Sequence, residues 1–314
     1  MTATYDIAVR NMFLYSELLC ALRTLRAADV SVIVLKGAAL ADTIYPSIAS
    51  RPMNDIDLLV HRADRERARA ALESAGFCAP YGIRASHEMH LRRGERPIVE
   101  LHWDLASIVP LRLAALDNEA LWQEARPFTI GSVQVHQLSI RDTLLHLCLH
   151  LSGHGYLHDN SSQDIRRLLT VEHPFPWDQF VQRARQFRLT ATCYFVLDAM
   201  ASRRDIVVPP EVLDALRPPR WQRQLVQSIA DPLHGLAGKM LYNKARNYLL
   251  YLALADRPMK IPLVTMQLLF PGPRWLAERY RLQGGLQPYL ACIWHPGVLL
   301  AEGAAALWTL AVRR

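Results

Sequence analysis

Two short apolar runs carry acids at positions that only a β-strand puts to use. Residues 54–60 read NDIDLLV, with Asp55 and Asp57 on either side of Ile56. Side chains alternate across a strand, so the two carboxylates share one face while Ile56 turns to the other, into the core. Residues 97–103 read PIVELHW, again one acid, Glu100, between two apolar neighbours. If these strands lie near each other, three carboxylates meet. Such a cluster repels itself, and an isolated buried carboxylate costs several kcal/mol. A divalent cation resolves both problems, and Mg²⁺ takes carboxylate oxygens together with substrate phosphates.

A second feature lies upstream. Residues 31–35, SVIVL, read as a buried strand that ends at Lys36-Gly37, and a short helix follows at once from Ala38 to near Pro46. A strand–glycine–helix junction offers unpaired backbone N–H groups and the positive end of a helix dipole, which suits a phosphate. Having no Cβ, Gly37 lets the phosphate approach the backbone. Lys36 flanks this turn, and Arg51 lies four residues before Asp55, placed to neutralise phosphate charge. Both cations have plainer alternatives, Lys36 as a partner of Asp55 and Arg51 as a loop clamp for a carboxylate. Metal-held acids facing a phosphate cradle are the parts of two-metal phosphoryl or nucleotidyl transfer.

The remaining pattern frames this set. Apolar positions Met12, Leu14, Leu18, Leu22 and Leu25 predict a helix over residues 5–28, and residues 63–75 predict a charged one capped by Gly76. Residues 88–91 and 97–103 predict a hairpin around Arg93-Gly94, and 131–138 a further strand. From 142 on the chain reads as helices at 142–152, 163–170, 177–187, 190–203, 210–216, 221–230 and 236–255, punctuated by prolines. The expected organisation is α+β: a mixed sheet with flanking helices over residues 1–140, then a mostly helical region over 141–314.

The motif string has a family likeness. LKGAALADTIYP, RPMNDIDLLV and IVELHWDL resemble the polymerase-β-type nucleotidyltransferase superfamily, and more closely a bacterial group of uncharacterised nucleotidyltransferases. LLHLCLHLSGHG and LLFPGPRWLAERY resemble the C-terminal region of that group. The resemblance implies transfer of a nucleoside monophosphate from an NTP to an acceptor, with release of pyrophosphate. It implies that Asp55 and Asp57 hold Mg²⁺ or Mn²⁺ and the triphosphate, and that Glu100 is a third ligand that also helps deprotonate the acceptor hydroxyl. It implies that Gly37 and Ala38 form the phosphate turn. The superfamily usually has Gly-Ser or Gly-Gly there, and Ala38 has no side-chain hydrogen bond to give. The implied acceptor is a small molecule, a peptide or a sugar. The alternatives are an RNA acceptor, in the manner of toxins that modify tRNA, and a non-catalytic module that keeps the fold.

Charge and composition bear on partners and compartment. Residues 215–314 hold 13 basic and 4 acidic residues, against 23 and 25 in residues 1–214. The excess in the last third would attract a nucleic acid, a phosphorylated substrate or an anionic surface, or be no more than a solvated face. Trp275, Arg279 and Tyr280, with Arg274 and Arg281, form a basic–aromatic patch there, able to stack bases or to serve as an ordinary amphipathic helix. The five cysteines lie far apart with no C-x-x-C pair, which suits a reducing cytoplasm rather than a disulfide scaffold or zinc ribbon. His146, His150, His154 and His158 recur every fourth residue, and two of them with Asp164 have the composition of a zinc site, but Gly153 and Gly155 are expected to break the helix that would align them. His102 shares the strand face of Glu100 and either orients a metal ligand or packs beside Trp103. The apolar stretch 289–312 is expected to be cut at His295-Pro296-Gly297, so no transmembrane segment is predicted.

Overall fold

The computed structural model of the protein describes residues 2–79, 87–106, 113–153, 159–230, 249–280, 282 and 285–311. The chain divides into two compact units. The first comprises Met1–Ser107, Leu116–Leu147 and Asp159–Phe180, and the second Ile108–Ala115, Cys148–His158 and Val181–Arg314.

The first unit is built on a six-stranded mixed sheet. Its strands are β1 (Ile33–Val34), β2 (Asp55–Leu59), β3 (Glu88–Leu91), β4 (Ile98–His102), β5 (Arg126–Ile130) and β6 (Val133–Gln137), in the order β3-β4-β2-β1-β6-β5. β2 runs parallel to β4, and β1 parallel to β6, while the other three pairings are antiparallel. The hairpin expected around Arg93-Gly94 is β3–β4. The strand expected over 131–138 is β6, and it has a partner the sequence did not announce, β5.

Helix α1 (Thr2–Ala27) buries Leu14, Leu18, Ala21, Leu22 and Leu25, spaced at helical intervals, against Val34, Ile56, Leu58, Val99 and Leu101 of the sheet core. Its two buried polar residues hold loops in place. Asn11 donates to the Arg51 carbonyl at 2.8 Å and to the Ile48 carbonyl. Glu17, fully buried, accepts two hydrogen bonds from Arg93 of the hairpin at 2.8 and 3.0 Å. Helices α2 (Lys36–Thr43) and α3 (Arg65–Ser74) follow β1 and β2, and Gly76, at φ 86°, takes the left-handed turn expected after α3. The short α4 (Asn118–Gln123) is capped by Asp117, whose side chain accepts from two backbone amides. Helix α5 (Ile140–Gly153) starts in this unit, which also holds α6 (Asp159–Val171).

The second unit is helical. It contains most of α7 (Trp177–Phe187), then α8 (Thr190–Ser202), α9 (Pro210–Leu216), α10 (Arg220–Ala230), α11 (Ile261–Leu269), α12 (Pro273–Tyr280) and α13 (Gln287–Ala311). The helix expected over 236–255 lies largely outside the described residues. The expected cut at Pro296 does not occur: α13 runs through it. A proline inside a helix removes one hydrogen bond and can be carried when packing holds both flanks. Here the neighbouring His295 is fully buried, with Nδ1 2.6 Å from the Tyr280 hydroxyl and Nε2 3.0 Å from the Leu268 carbonyl. Even so, no described helix is long and apolar enough to cross a membrane.

Candidate active site

The parallel register of β2 and β4 sets Asp57 directly opposite Glu100, and Asp55 opposite Ile98. The antiparallel register of β3 continues the row, with His90 opposite Glu100 and Glu88 opposite His102. Ile56, Met89, Val99 and Leu101 alternate with these residues and are buried in the core, so the acids and imidazoles all stand on the other face. The arrangement brings together Asp55, Asp57, Glu100 and His102, as the sequence expected. It adds Glu88, His90 and His87, which the sequence reading passed over.

Asp57 is the centre of the set. It is almost fully buried, its Oδ1 2.8 Å from Lys36 Nζ and 3.1 Å from His102 Nε2. Burial would raise its pKa, but Lys36 and His102 outweigh burial and hold the carboxyl well below the usual range. Lys36 pairs with Asp57 rather than with Asp55. Burial would lower the Lys36 pKa, and the charges of Asp57, Asp55 and Glu100 keep it above its ordinary value. The backbone of Lys36 has φ 37°, a conformation costly for a residue with a Cβ, which the β1–α2 junction imposes while it aims the ammonium at Asp57.

The other two acids go the opposite way. Burial, then repulsion by Asp57, raises the Asp55 pKa. Burial and the charges of Asp57, Glu88 and Asp55 push Glu100 up to about 7. Glu88 is held below its usual range: burial would raise it, but hydrogen bonds from His87 and His90 prevail. Three carboxylates, Asp55, Asp57 and Glu100, thus act on one lysine, and two of them are reluctant to ionise. Asp57, Glu100 and His102 present ligand atoms all within 4.8 Å of one another, as do Glu88, His90 and Glu100.

The turn from β1 into α2 is tightly packed. Leu35 precedes α2 in extended conformation without a side-chain cap, and Gly37 and Ala38 are buried in its first turn. The Tyr15 hydroxyl donates to the Ala38 carbonyl at 3.1 Å, tying α2 to α1. Arg51 is buried and committed to Asp164 of α6, its Nε and Nη2 donating at 2.8 and 2.6 Å, while the Tyr45 hydroxyl donates to the same carboxylate at 2.7 Å. Gly37 lies against that guanidinium: a Cβ there would stand 2.8 Å from Arg51 Nη1 and 3.3 Å from Met53. Since Asp164 fixes Arg51, Gly37→Ala is expected to cost about 1–3 kcal/mol by overpacking, read as a lower urea midpoint.

The histidine stripe resolves differently. His146 is buried on α5, lining a small cleft with Lys36, Leu40, Gln137 and Thr143, and burial, with Lys36 and His102 nearby, lowers its pKa to about 3. His150 is half-buried farther along α5, which ends at Gly153, and His154 and His158 lie outside the described residues. Asp164, their suggested zinc partner, is engaged by Arg51 and Tyr45. In the second unit Arg279 stacks over Trp275 and Tyr280, at 5.2 and 5.6 Å, and both rings also pack on His295. The Arg274 side chain and Arg281 lie outside the description.

Two solved structures are similar at low identity. The antibiotic-resistance factor ANT(2'')-Ia is 13% identical, with a TM-score of 0.38, over 62% of this chain and 94% of its own. An antigenic nucleotidyltransferase-like protein from Paracoccidioides brasiliensis is 16% identical, with a TM-score of 0.34, over 68% and 92%. No curated protein matches the sequence. A family model described as uncharacterised nucleotidyltransferase matches residues 1–204, well over half of the chain, and the protein belongs to that family.

Proposed function

We propose that this nucleotidyltransferase moves a nucleoside monophosphate from an NTP to a hydroxyl of a small molecule, peptide or sugar, with Mg²⁺ or Mn²⁺ held by Asp55, Asp57 and Glu100. The observation that carries the reading is the β2–β4 register, which sets Asp57 against Glu100 with Asp55 on the same face, beside the start of α2. The donor set suits a hard dication, being oxygen-rich and short of positive charge, with two of its acids shifted toward their neutral forms. Such an ion supplies charge neutralisation at the triphosphate.

The protein's own groups do the rest. Lys36 keeps Asp57 ionised and adds positive charge beside the turn. The uncapped amides that open α2, at Gly37 and Ala38, face the phosphates. Arg51, through Asp164, braces that turn. The acceptor oxygen attacks the α-phosphorus, the bond to the bridging oxygen of pyrophosphate breaks, and the acceptor proton passes to Glu100, which stands opposite Asp57 on the same face. In this reading residues 1–140 form the catalytic domain, and residues 141–314 serve acceptor binding. The basic last third favours RNA as a second class of acceptor.

Purified protein incubated with each NTP and Mg²⁺ or Mn²⁺, with total RNA or a small-metabolite extract as acceptor, tests the proposal. Metal-dependent pyrophosphate release from one NTP, lost in Asp55→Asn/Asp57→Asn, is expected, and the stimulating fraction identifies the acceptor class. No release with any combination, and no NTP binding by calorimetry, overturns it.

A further inference from the structure

Strand β3 carries two residues that nucleotidyl transfer, as proposed, does not use. Glu88 and His90 alternate with the buried Met89 and Leu91 and stand on the same face as the acids. His90 Nε2 lies 3.2 Å from Glu88 Oε1 and 3.3 Å from Glu100 Oε1. One imidazole nitrogen is thus shared by two carboxylate oxygens. A single N–H points at one acceptor, whereas a cation between the three atoms satisfies all of them. Around a tetrahedral cation with nitrogen and oxygen ligands at about 2.0–2.2 Å, neighbouring ligand atoms lie about 3.3–3.6 Å apart. The two spacings from His90 Nε2 are close to that, and the ligand atoms of all three residues lie within 4.8 Å of one another.

The surroundings support such a site. The other oxygen of Glu88 lies 3.1 Å from His87 Nε2 and 3.4 Å from His102 Nδ1, so two imidazoles orient the carboxylate from behind. His102 also reaches Asp57 at 3.1 Å, which links this cluster to the acids of β2. The three ligands sit on two directly paired strands, a rigid frame rather than a loop.

We infer that Glu88, His90 and Glu100 form a further cation site, for a divalent transition metal of the class that accepts imidazole nitrogen together with carboxylate oxygen, such as Zn²⁺. Its mixed donor set sets it apart from the all-oxygen set of Asp55, Asp57 and Glu100, which favours Mg²⁺ or Mn²⁺. Glu100 is common to both, so an occupied outer site fixes the orientation of that carboxylate. The inference rests on the nucleotidyl-transfer reading only for the meaning of Glu100, not for the binding itself.

The test uses the full chain, stripped of metal with a chelator and titrated with Co²⁺ and Zn²⁺. Visible ligand-field absorption reports Co²⁺, and calorimetry reports Zn²⁺. Wild type is expected to bind one ion with a nitrogen-ligated spectrum, distinct from any oxygen-ligated ion taken up by Asp55 and Asp57. His90→Asn and Glu88→Gln, each checked by circular dichroism, are expected to weaken it by about 100-fold or more, and Asp55→Asn to retain it. No uptake by wild type, uptake undiminished in a folded His90→Asn or Glu88→Gln protein, or loss in Asp55→Asn equal to that in His90→Asn would each overturn the site. Pyrophosphate release is absent from these readouts, so failure of the transfer reading leaves them standing, and their failure leaves that reading intact.

Discussion

Asp57→Asn is expected to lower nucleotidyl transfer by about 10²–10³-fold or more, the effect of removing one preorganised electrostatic group, and to destabilise the fold as well. Asn keeps the shape and loses the charge. Lys36, largely buried and 2.8 Å away, would then lack its main counterion, and His102 would face an amide. Breaking a buried pair from one side costs about 3–5 kcal/mol. Asp55→Asn separates the two effects. The Asp55 pKa is raised, so its ionised form is disfavoured in the folded protein. Neutralising it is expected to abolish transfer while leaving the thermal midpoint unchanged or higher. Pyrophosphate release and thermal unfolding, measured side by side on the two variants, check the split. Equal loss of stability in both would show that Asp57 has no special structural charge partner.

Arg51→Met is expected to destabilise the protein by about 3–5 kcal/mol, and Asp164→Leu by a similar amount. Arg51 and Asp164 meet through two hydrogen bonds, both side chains are nearly inaccessible, and Tyr45 shares the carboxylate. Either single change strands a buried charge. The double variant removes both charges and should be clearly less destabilised than the sum of the singles. Chemical denaturation of the four proteins gives the coupling. A phosphate role alone would look different: Arg51→Met would raise the KM for NTP and leave the denaturation midpoint in place.

The acids were legible because a strand has a period of two, and Asp-Ile-Asp and Val-Glu-Leu each declare a polar and an apolar side. Their meeting required only that the two strands be neighbours. The histidines of β3 were hidden for a related reason. The expected hairpin already paired EMHL with the strand of Glu100, but its exact register and the order β3-β4-β2, which carry Glu88 and His90 onto the row with Asp57, were not in the sequence. A turn centred on Arg93-Gly94 would pair His90 with Pro97, whereas the observed register is centred on Glu95 and sets His90 opposite Glu100. β5 escaped notice because it is an edge strand, mostly exposed, with Pro127 and an apolar alternation of only Phe128 and Ile130. The partner of Arg51 lies 113 residues downstream, beyond any local pattern. The run of α13 through Pro296 depends on what His295 touches, which periodicity does not carry.

The row of acids and imidazoles crosses β3, β4 and β2 at right angles to the chain, and a strand has only two ways to face. A slip of β4 by one residue would turn Glu100 and His102 inward and bring Val99 and Leu101 out, so a molecule in the wrong register keeps neither its core nor its centre. There is no half-competent state between the two. Activity lost in a Val99 or Leu101 variant is therefore expected to include a fraction of molecules out of register, beside any displacement of Glu100 in those that pair correctly.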